Sequence, residues 1–320
     1  MTAEQRKAEA RILAATLTLL AREEESLPSP YALWRTPLTP ADIKDLALKV
    51  ASGQARVVWV DEAYPARGLL IVQDQALESI ILGQSSHRLL GPWLFELDPL
   101  ERQKKTAALA QKAKDLEPGP GFLAVKAIHD PAIIRGFGQA GFVVAEISSV
   151  LSGPINPKLF PEFAFTRGEG LTLRTPLTGE GEKWLEALGE LFYDGHYLHG
   201  PFLPHDFSAK LWRAVALNHF SRGLPALFLW EELGQRPVAV SLASVKGQEA
   251  SLTALFVAED RRGEGLGELL MLETLRELWR QDCQTLAVET ASYNLPALAL
   301  YQGLGLATRA PLITLHCLKS

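Results

Sequence analysis

Cysteine and methionine are almost missing from this chain, with two of each in 320 residues. Cys283 and Cys317 form neither a metal-ligand spacing nor a disulfide framework, so no metal and a reduced, cytoplasmic compartment are expected. No basic run exists, and the formal net charge is −5. That argues against a nucleic-acid surface as the main partner. No stretch reaches the roughly 18 apolar residues of a membrane span, so no membrane partner is expected. The apolar part of the N-terminus, residues 12–21, is flanked by Arg, Lys and Glu at helical spacing and is followed by no small-residue cleavage site. It is expected to be an amphipathic helix packed on the protein and not a signal segment. Low-complexity tails are lacking as well. What remains is a globular composition, 47% hydrophobic and 22% charged, long enough for about two domains with their own cores.

Patterning along the chain divides it. Residues 1–52 carry two helical stretches around the Pro-rich turn SLPSPYALWRTPLTP and form a helical extension. Strand-like runs follow: ARVVWV, RGLLIVQ, LESIIL and HRLLGPWLFEL. PLERQKKTAALAQKAKDL is expected as a helix, FLAVKAI as a strand, DPAIIRGFGQA as a short helix and GFVVAEISSVL as a strand. The Gly/Pro-rich SGPINPKLFPE, residues 152–162, is the best linker candidate. Beyond it come LTLRTPL, two helices around the loop HYLHGPFLPHD, three successive strands, a glycine-rich turn opening a helix, another strand and short helix, and a closing strand PLITLHCLK. The order implies an α/β class with a mixed (α+β) central sheet flanked by helices on both faces. Expected domains are 53–152 and 171–320, joined by a linker over 153–170.

An internal repeat underlies this order. DPAIIRGFGQAGF aligns without gaps on NLPALALYQGLGL, placing Asp130 over Asn294, Phe137 over Tyr301, Gly141 over Gly305 and Phe142 over Leu306. Upstream, the strand FLAVKAI of the first copy matches TLAVETA of the second. The copies differ where chemistry would occur. DRRGEGLGEL in the second stands against DPLERQKKTA in the first, and the second has a tyrosine hydroxyl where the first has phenylalanine.

Gly263, Gly265 and Gly267 lie between a strand ending near Val257 and a helix starting near Leu266. Such a turn aims unpaired backbone N–H groups and a helix dipole at one place, which suits a phosphate or pyrophosphate. A dinucleotide fingerprint needs a third glycine where Glu268 stands, and no GK[ST] is present for a P-loop.

Arg262-Gly263-Glu264-Gly265-Leu266-Gly267 resembles the [RQ]-x-x-G-x-[GA] loop of the GNAT N-acetyltransferase superfamily. Asn294, Ala297, Leu300, Tyr301, Gly305 and Leu306 resemble its following N-x-x-A-x-x-L-Y-x-x-x-G-[FL] pattern. The resemblance covers residues 171–320. The first half is similar to the degenerate N-terminal domain of tandem proteins of the dTDP-fucosamine acetyltransferase type, with mycothiol synthase as a second tandem relative. It implies two GNAT-like domains, acetyl-CoA as co-substrate, a small amine acceptor, and an assembly compatible with a homodimer. Gly195-His196-Tyr197 stand where the fucosamine enzymes carry Ser-Arg-Phe, a departure at the acceptor loop, residues 193–206.

By the resemblance, the N–H groups of Gly263, Glu264, Gly265, Leu266 and Gly267 hold the pyrophosphate, with Arg261 and Arg262 as nearby cations. Leu255, Phe256 and Val257 offer their backbone to the pantetheine arm, and Tyr301 is the general acid for the leaving thiolate. A phenol near pKa 10 donating to a thiolate near 8.5 is uphill by about 2 kcal/mol, which a local field can offset. Asn294 belongs to the conserved pattern of the cofactor site, and its own chemistry is that of a helix cap before Pro296. The base stays open among Glu289, Glu249, His196, His199 and His205, of which Glu289 and His196 are the leading candidates. Cys283 is expected to be a buried thiol. Two rival classes remain: a non-catalytic acyl-CoA-binding regulator, and a Fem-type aminoacyl transferase that uses tRNA.

Overall fold

The computed structural model describes residues 2–26, 40–59, 68–94, 98–116, 119–160, 170–176, 180–187 and 202–319. They form two compact units. One comprises Met1–Ser148 with Ala310–Ser320, and the other chiefly Ser149–Leu198 and Pro204–Arg309.

The first unit contains α1 (Ala3–Ser26), α2 (Pro40–Ser52), β1 (Ala55–Trp59), β2 (Gly68–Asp74), α3 (Ala76–Leu82), β3 (Ser85–Leu94), α4 (Pro99–Asp115), β4 (Gly121–Ile128), α5 (Pro131–Gln139) and the start of β5 (Val143–Pro154). Its sheet runs β1-β2-β3-β4 and ends on β11 (Ala307–Lys319). Only β3–β4 is parallel; the other pairs are antiparallel. The run GLLIV in β2 is buried on both faces, as a sheet covered on two sides requires. Leu69 and Ile71 pack with Ala10, Leu13, Leu17, Ile43, Leu46 and Val50 of α1 and α2. Leu70 and Val72 pack with Leu109 and Ala113 of α4 and with Phe137 of α5. Leu13 and Leu17 are fully buried, worth about 2 kcal/mol each. Within the expected 1–52 extension, α1 and α2 form one layer of this unit's core, and residues 27–39 lie outside the described residues.

The second unit contains β6 (Leu171–Arg174), α6 (Glu180–Ala187), α7 (Phe207–Ser221), β7 (Ala226–Glu231), β8 (Arg236–Lys246), β9 (Glu249–Val257), α8 (Leu266–Arg280), β10 (Thr285–Ala291) and α9 (Leu295–Gly303). Its strand order is β6-β7-β8-β9-β10-β5, with β9–β10 parallel and β6 to β9 antiparallel. Both units thus repeat one plan, an antiparallel meander followed by a parallel pair bounded by a further strand.

That further strand comes from the other half of the sequence in each unit. β11 pairs with β4 from Leu312↔Ile128 to Lys319↔Gly121. The end of β5 joins the second unit, where Ser149 Oγ lies 3.1 Å from Ser292 Oγ and the Ile155 N–H donates to Gln284 O at 2.8 Å. The expected boundaries, which keep residues 171–320 together, do not describe the compact units. Of the expected linker, 153–170, residues 161–169 lie outside the described residues, and its first residues belong to ordered structure. Ser152–Pro154 complete β5, Ile155 is 3% exposed, and Gly153 approaches the Gly305 carbonyl so closely that a Cβ would stand 3.1 Å away.

LESIIL, expected as a strand, lies in α3. Gly83 with φ +65 ends that helix, and Ser79 Oγ donates to Gln75 O at 2.8 Å. A short apolar run cannot separate the two states by periodicity, and Gly83 was the stop signal.

Candidate functional site

The site begins at a bulge. β8 and β9 keep register through Ala243↔Leu252 and resume at Leu242↔Ala254, leaving Thr253 as an extra residue on β9. The bulge changes which side chains face which core. Ala250 and Leu252 pack with Met271, Leu275 and Leu286. Beyond Thr253, Ala254 turns to the opposite cluster with Phe228, Val240 and Leu242. Leu255 and Val257 pack towards Leu266 and Leu270 of α8.

At the same residue β9 leaves β10. The parallel ladder runs from Thr285↔Glu249 to Val288↔Leu252 and then stops, although both strands continue. No rung of the β9–β10 ladder is formed beyond Leu252, so Leu255 to Val257 are paired with β8 and not with β10. The two strands part here.

The glycine loop follows the end of β9 beyond that ladder. After the 3-10 turn Glu259–Arg261, Gly263 and Gly265 take φ values of +85 and +79. A Cβ at either would meet nothing within 4 Å. Glycine is required there by the left-handed backbone and not by crowding, and the space in front is open. Gly265 is the N-cap of α8 and supplies no side-chain cap. Among the described residues, the N–H groups of Gly263, Glu264, Gly265, Leu266 and Gly267 find no acceptor. They suit an anion at a helix start.

The two arginines are placed differently. Arg262 donates from Nε to Val257 O at 3.2 Å, with its guanidinium 5.4 Å from the Phe256 ring centroid, and meets no carboxylate among the described residues. Arg261 is engaged by Glu264 and Glu231.

Tyr301 lies on α9, 5% exposed, in the cluster holding Leu151, Met271, Leu286, Val288 and Leu306. Its hydroxyl has no hydrogen-bond partner among the described residues, and burial pushes its pKa up to about 12. Asn294 caps α9, accepting from the Ala297 N–H at 3.3 Å and donating to Thr290 Oγ1 at 3.3 Å, with Pro296 in the first turn. Its side chain is thereby committed to the helix start.

The base candidates separate by position. Glu289 is exposed and is the first residue of β10 beyond the paired stretch. Strand alternation aims it away from the face of Leu286 and Val288. Glu249 is at the opposite end of β9, paired with Thr285. About 20 Å of strand separates it from Phe256, so it is removed from the candidates. His205 is exposed in the turn before α7. His196, His199 and the acceptor loop up to residue 201 lie outside the described residues. Cys283 is fully buried, and burial raises its thiol pKa. Among the described residues no group of His, Cys, Asp and Glu is arranged to hold a metal ion. No helix there is long and apolar enough to cross a membrane.

The first unit repeats the parted pair but caps its helix start. Its parallel pair also parts early, after Leu89↔Val125. There, however, the Asp98 carboxylate accepts the Leu100 and Glu101 N–H groups at 2.8 and 3.0 Å, taking the place an anion would need. The half-buried pair Arg102–Asp130, 3.2 Å apart, ties α4 to the start of α5. Gly136 lets the two helices touch: a Cβ there would stand 2.6 Å from both Gln103 O and Thr106 Cβ. The aligned residue in α9 is Leu300, which forbids such an approach to α8.

An uncapped glycine loop thus follows a strand whose parallel ladder has already ended. Residues 185–306 match the model of the Acetyltransferase (GNAT) family. Solved structures share the fold, and one of them is a tandem protein. A tandem GNAT protein from the clavulanic acid biosynthesis pathway is similar over 96% of this chain and 94% of its own, at 15% identity and TM-score 0.59. A GCN5-related N-acetyltransferase from Sphaerobacter thermophilus is similar over 79% and 77%, at 15% identity and TM-score 0.58. Another from Kribbella flavida is similar over 86% and 94%, at 17% identity and TM-score 0.53. No curated protein matches the sequence.

The sequence pointed to the glycine loop, Tyr301 and Asn294. It carried no signal for the bulge at Thr253, and none for Glu231, which a strand end hides among ordinary charged residues.

Proposed function

We propose that this protein is an acetyl-CoA-dependent N-acetyltransferase acting on a primary amine of a small molecule, an amino sugar or an amino-acid-like compound. The observation that carries the reading is the parting of β9 from β10 at Leu252 and Val288, directly beside loop N–H groups without acceptors. One edge of strand and one cradle of donors, end to end, suit an extended ligand with a diphosphate at one end and an amide-bearing arm at the other. Acetyl-CoA has both.

In this reading residues 263–267 hold the diphosphate with their N–H groups, and Arg262 adds a charge no carboxylate cancels. Leu255 to Val257, beyond the end of the β9–β10 ladder, pair with the amides of the arm and align the thioester. A β9 N–H polarises the thioester carbonyl, so the charge that develops on oxygen meets a fixed dipole. The amine attacks directly. Tyr301 gives its proton to the sulfur as the C–S bond breaks. Its raised pKa fits that task, because an apolar surrounding that disfavours a phenolate also disfavours a thiolate and raises its demand for a proton. A lysine-type amine is only about 0.04% neutral at pH 7 and needs a base, whereas an α-amino group is about 15% neutral. Glu289 and His196 are the residues assigned to that base.

The test is a thiol-release assay with acetyl-CoA and a panel of amino sugars, amino acids and polyamines. Amine-dependent release of CoA supports the reading. Acetyl-CoA binding without release by any amine in the panel would favour a binding protein instead.

A further inference from the structure

Two arginines precede the glycine loop, and the structure gives them opposite surroundings. Arg261 spends all three guanidinium nitrogens on carboxylates. Nε donates to both Glu264 oxygens at 3.0 Å, Nη2 to Glu264 Oε2 at 2.8 Å, and Nη1 to Glu231 Oε1. Glu231, at the end of β7, is held in turn by Arg236 Nε at 3.4 Å, and Arg236 Nη2 pairs with Asp260. The series Glu264–Arg261–Glu231–Arg236–Asp260 alternates in sign and has three carboxylates against two guanidiniums. Its net charge is negative, so it attracts no phosphate.

Glu264 is the residue for which this matters. It sits between the two left-handed glycines, Gly263 and Gly265, at the centre of the N–H groups that lack acceptors. A carboxylate released at that point would face a diphosphate at close range, and like charges there oppose binding. Its hydrogen bonds with Arg261 hold the carboxyl below its usual range, so it stays charged at neutral pH.

We propose that Arg261 is a positioning residue that draws the Glu264 carboxylate out of the phosphate cradle and neutralises it, while Arg262 alone of the two presents its charge to the phosphates. The assignment rests on the acyl-CoA reading above. It places the contribution of Arg261 to affinity wholly in its partner: without Glu264, Arg261 is dispensable for binding.

A double-mutant cycle on the full chain tests this, with acetyl-CoA titrated calorimetrically into wild type, Arg261→Gln, Glu264→Gln and the double variant. Arg261→Gln is expected to weaken binding by about 10-fold, which corresponds to about 1.4 kcal/mol. Glu264→Gln tightens it by about 3-fold, and the double variant binds like Glu264→Gln. A role in loop stability alone would leave the double variant as weak as Arg261→Gln, because removing Glu264 restores no anchor. A direct phosphate contact gives the same failure of rescue. Either result overturns the assignment while leaving acetyl-CoA binding by the wild type intact. A wild type that binds no acetyl-CoA overturns the acyl-CoA reading and this assignment together.

Discussion

Tyr301 and Phe137 occupy one place in two copies of the same turn. The Tyr301 carbonyl accepts the Leu306 N–H at 3.1 Å, and the Phe137 carbonyl accepts the Phe142 N–H at 3.0 Å. Each pair spans a left-handed glycine, Gly305 at φ +84 and Gly141 at φ +86. Each helix starts on a side-chain cap, Asn294 or Asp130. One backbone device carries a phenol in the second unit and a phenyl ring in the first, so the hydroxyl is not needed for the turn.

Tyr301→Phe should therefore fold as the wild type does and lose only the proton donor. The expected outcome is a fall in kcat on the order of 10²-fold or more with acetyl-CoA affinity retained. Steady-state kinetics together with calorimetric titration of acetyl-CoA measure both. Unchanged turnover would remove Tyr301 from the mechanism.

The same phenol predicts a pH effect on stability. Burial raises its pKa in the folded protein to about 12, from the ordinary 10. A group with a raised folded pKa contributes stability below its unfolded pKa and loses it as pH rises through the folded value. Between pH 10 and 12 the wild type should lose about 2–3 kcal/mol relative to Tyr301→Phe, two units at 1.36 kcal/mol each. Urea unfolding of both proteins at pH 8 and pH 11.5 isolates this difference from the titration of lysines, which the two share. Parallel loss in both proteins would show that the phenol is not buried.

A further prediction transfers the lock of the first unit to the second. Asp98 caps α4 with its carboxylate, whereas Gly265 leaves α8 uncapped. Gly265→Asp should place a carboxylate on the N–H groups of Gly267 and Glu268 and reduce acetyl-CoA affinity by on the order of 100-fold. The left-handed backbone makes the substitution cost about 1 kcal/mol, with aspartate among the residues that tolerate it best. Calorimetry and a thermal melt read the two effects separately. Undiminished affinity would mean that the loop N–H groups do not hold the phosphates.

How much of this was legible in the sequence follows from what each feature needs. The glycine loop was legible because left-handed backbone needs glycine and uncapped N–H groups need an anion. The cap at Asn294 and the repeat were legible because short polar residues before proline mark helix starts. The exchange of β5 and β11 was not, since both read as ordinary apolar strands whichever sheet they join. Nor was the bulge at Thr253, because one extra residue shifts the burial pattern without altering strand composition. Arg261 looked like a phosphate ligand by proximity along the chain. Its partner Glu231 lies thirty residues earlier and only folding brings it near.

The contact between α4 and α5 gives a stability prediction for the first unit. Gly136→Ala drives a methyl group to 2.6 Å from the Gln103 carbonyl oxygen and Thr106 Cβ. One is backbone and the other a β-branched side chain in a helix, so neither yields easily. A loss of about 2–3 kcal/mol is expected, read as a lower urea midpoint at unchanged slope. A neutral substitution would show that the helices stand further apart.

The most direct measurement for the whole account is the stoichiometry of acetyl-CoA binding. Titration into the full chain should give one equivalent per chain, because the second unit has an uncapped loop beside parted strands and the first has filled its own with Asp98. The Gly265→Asp variant should weaken that binding by on the order of 100-fold and Tyr301→Phe should keep it. Two equivalents, or an affinity that Gly265→Asp leaves undiminished, would contradict the assignment of the chemistry to the second unit.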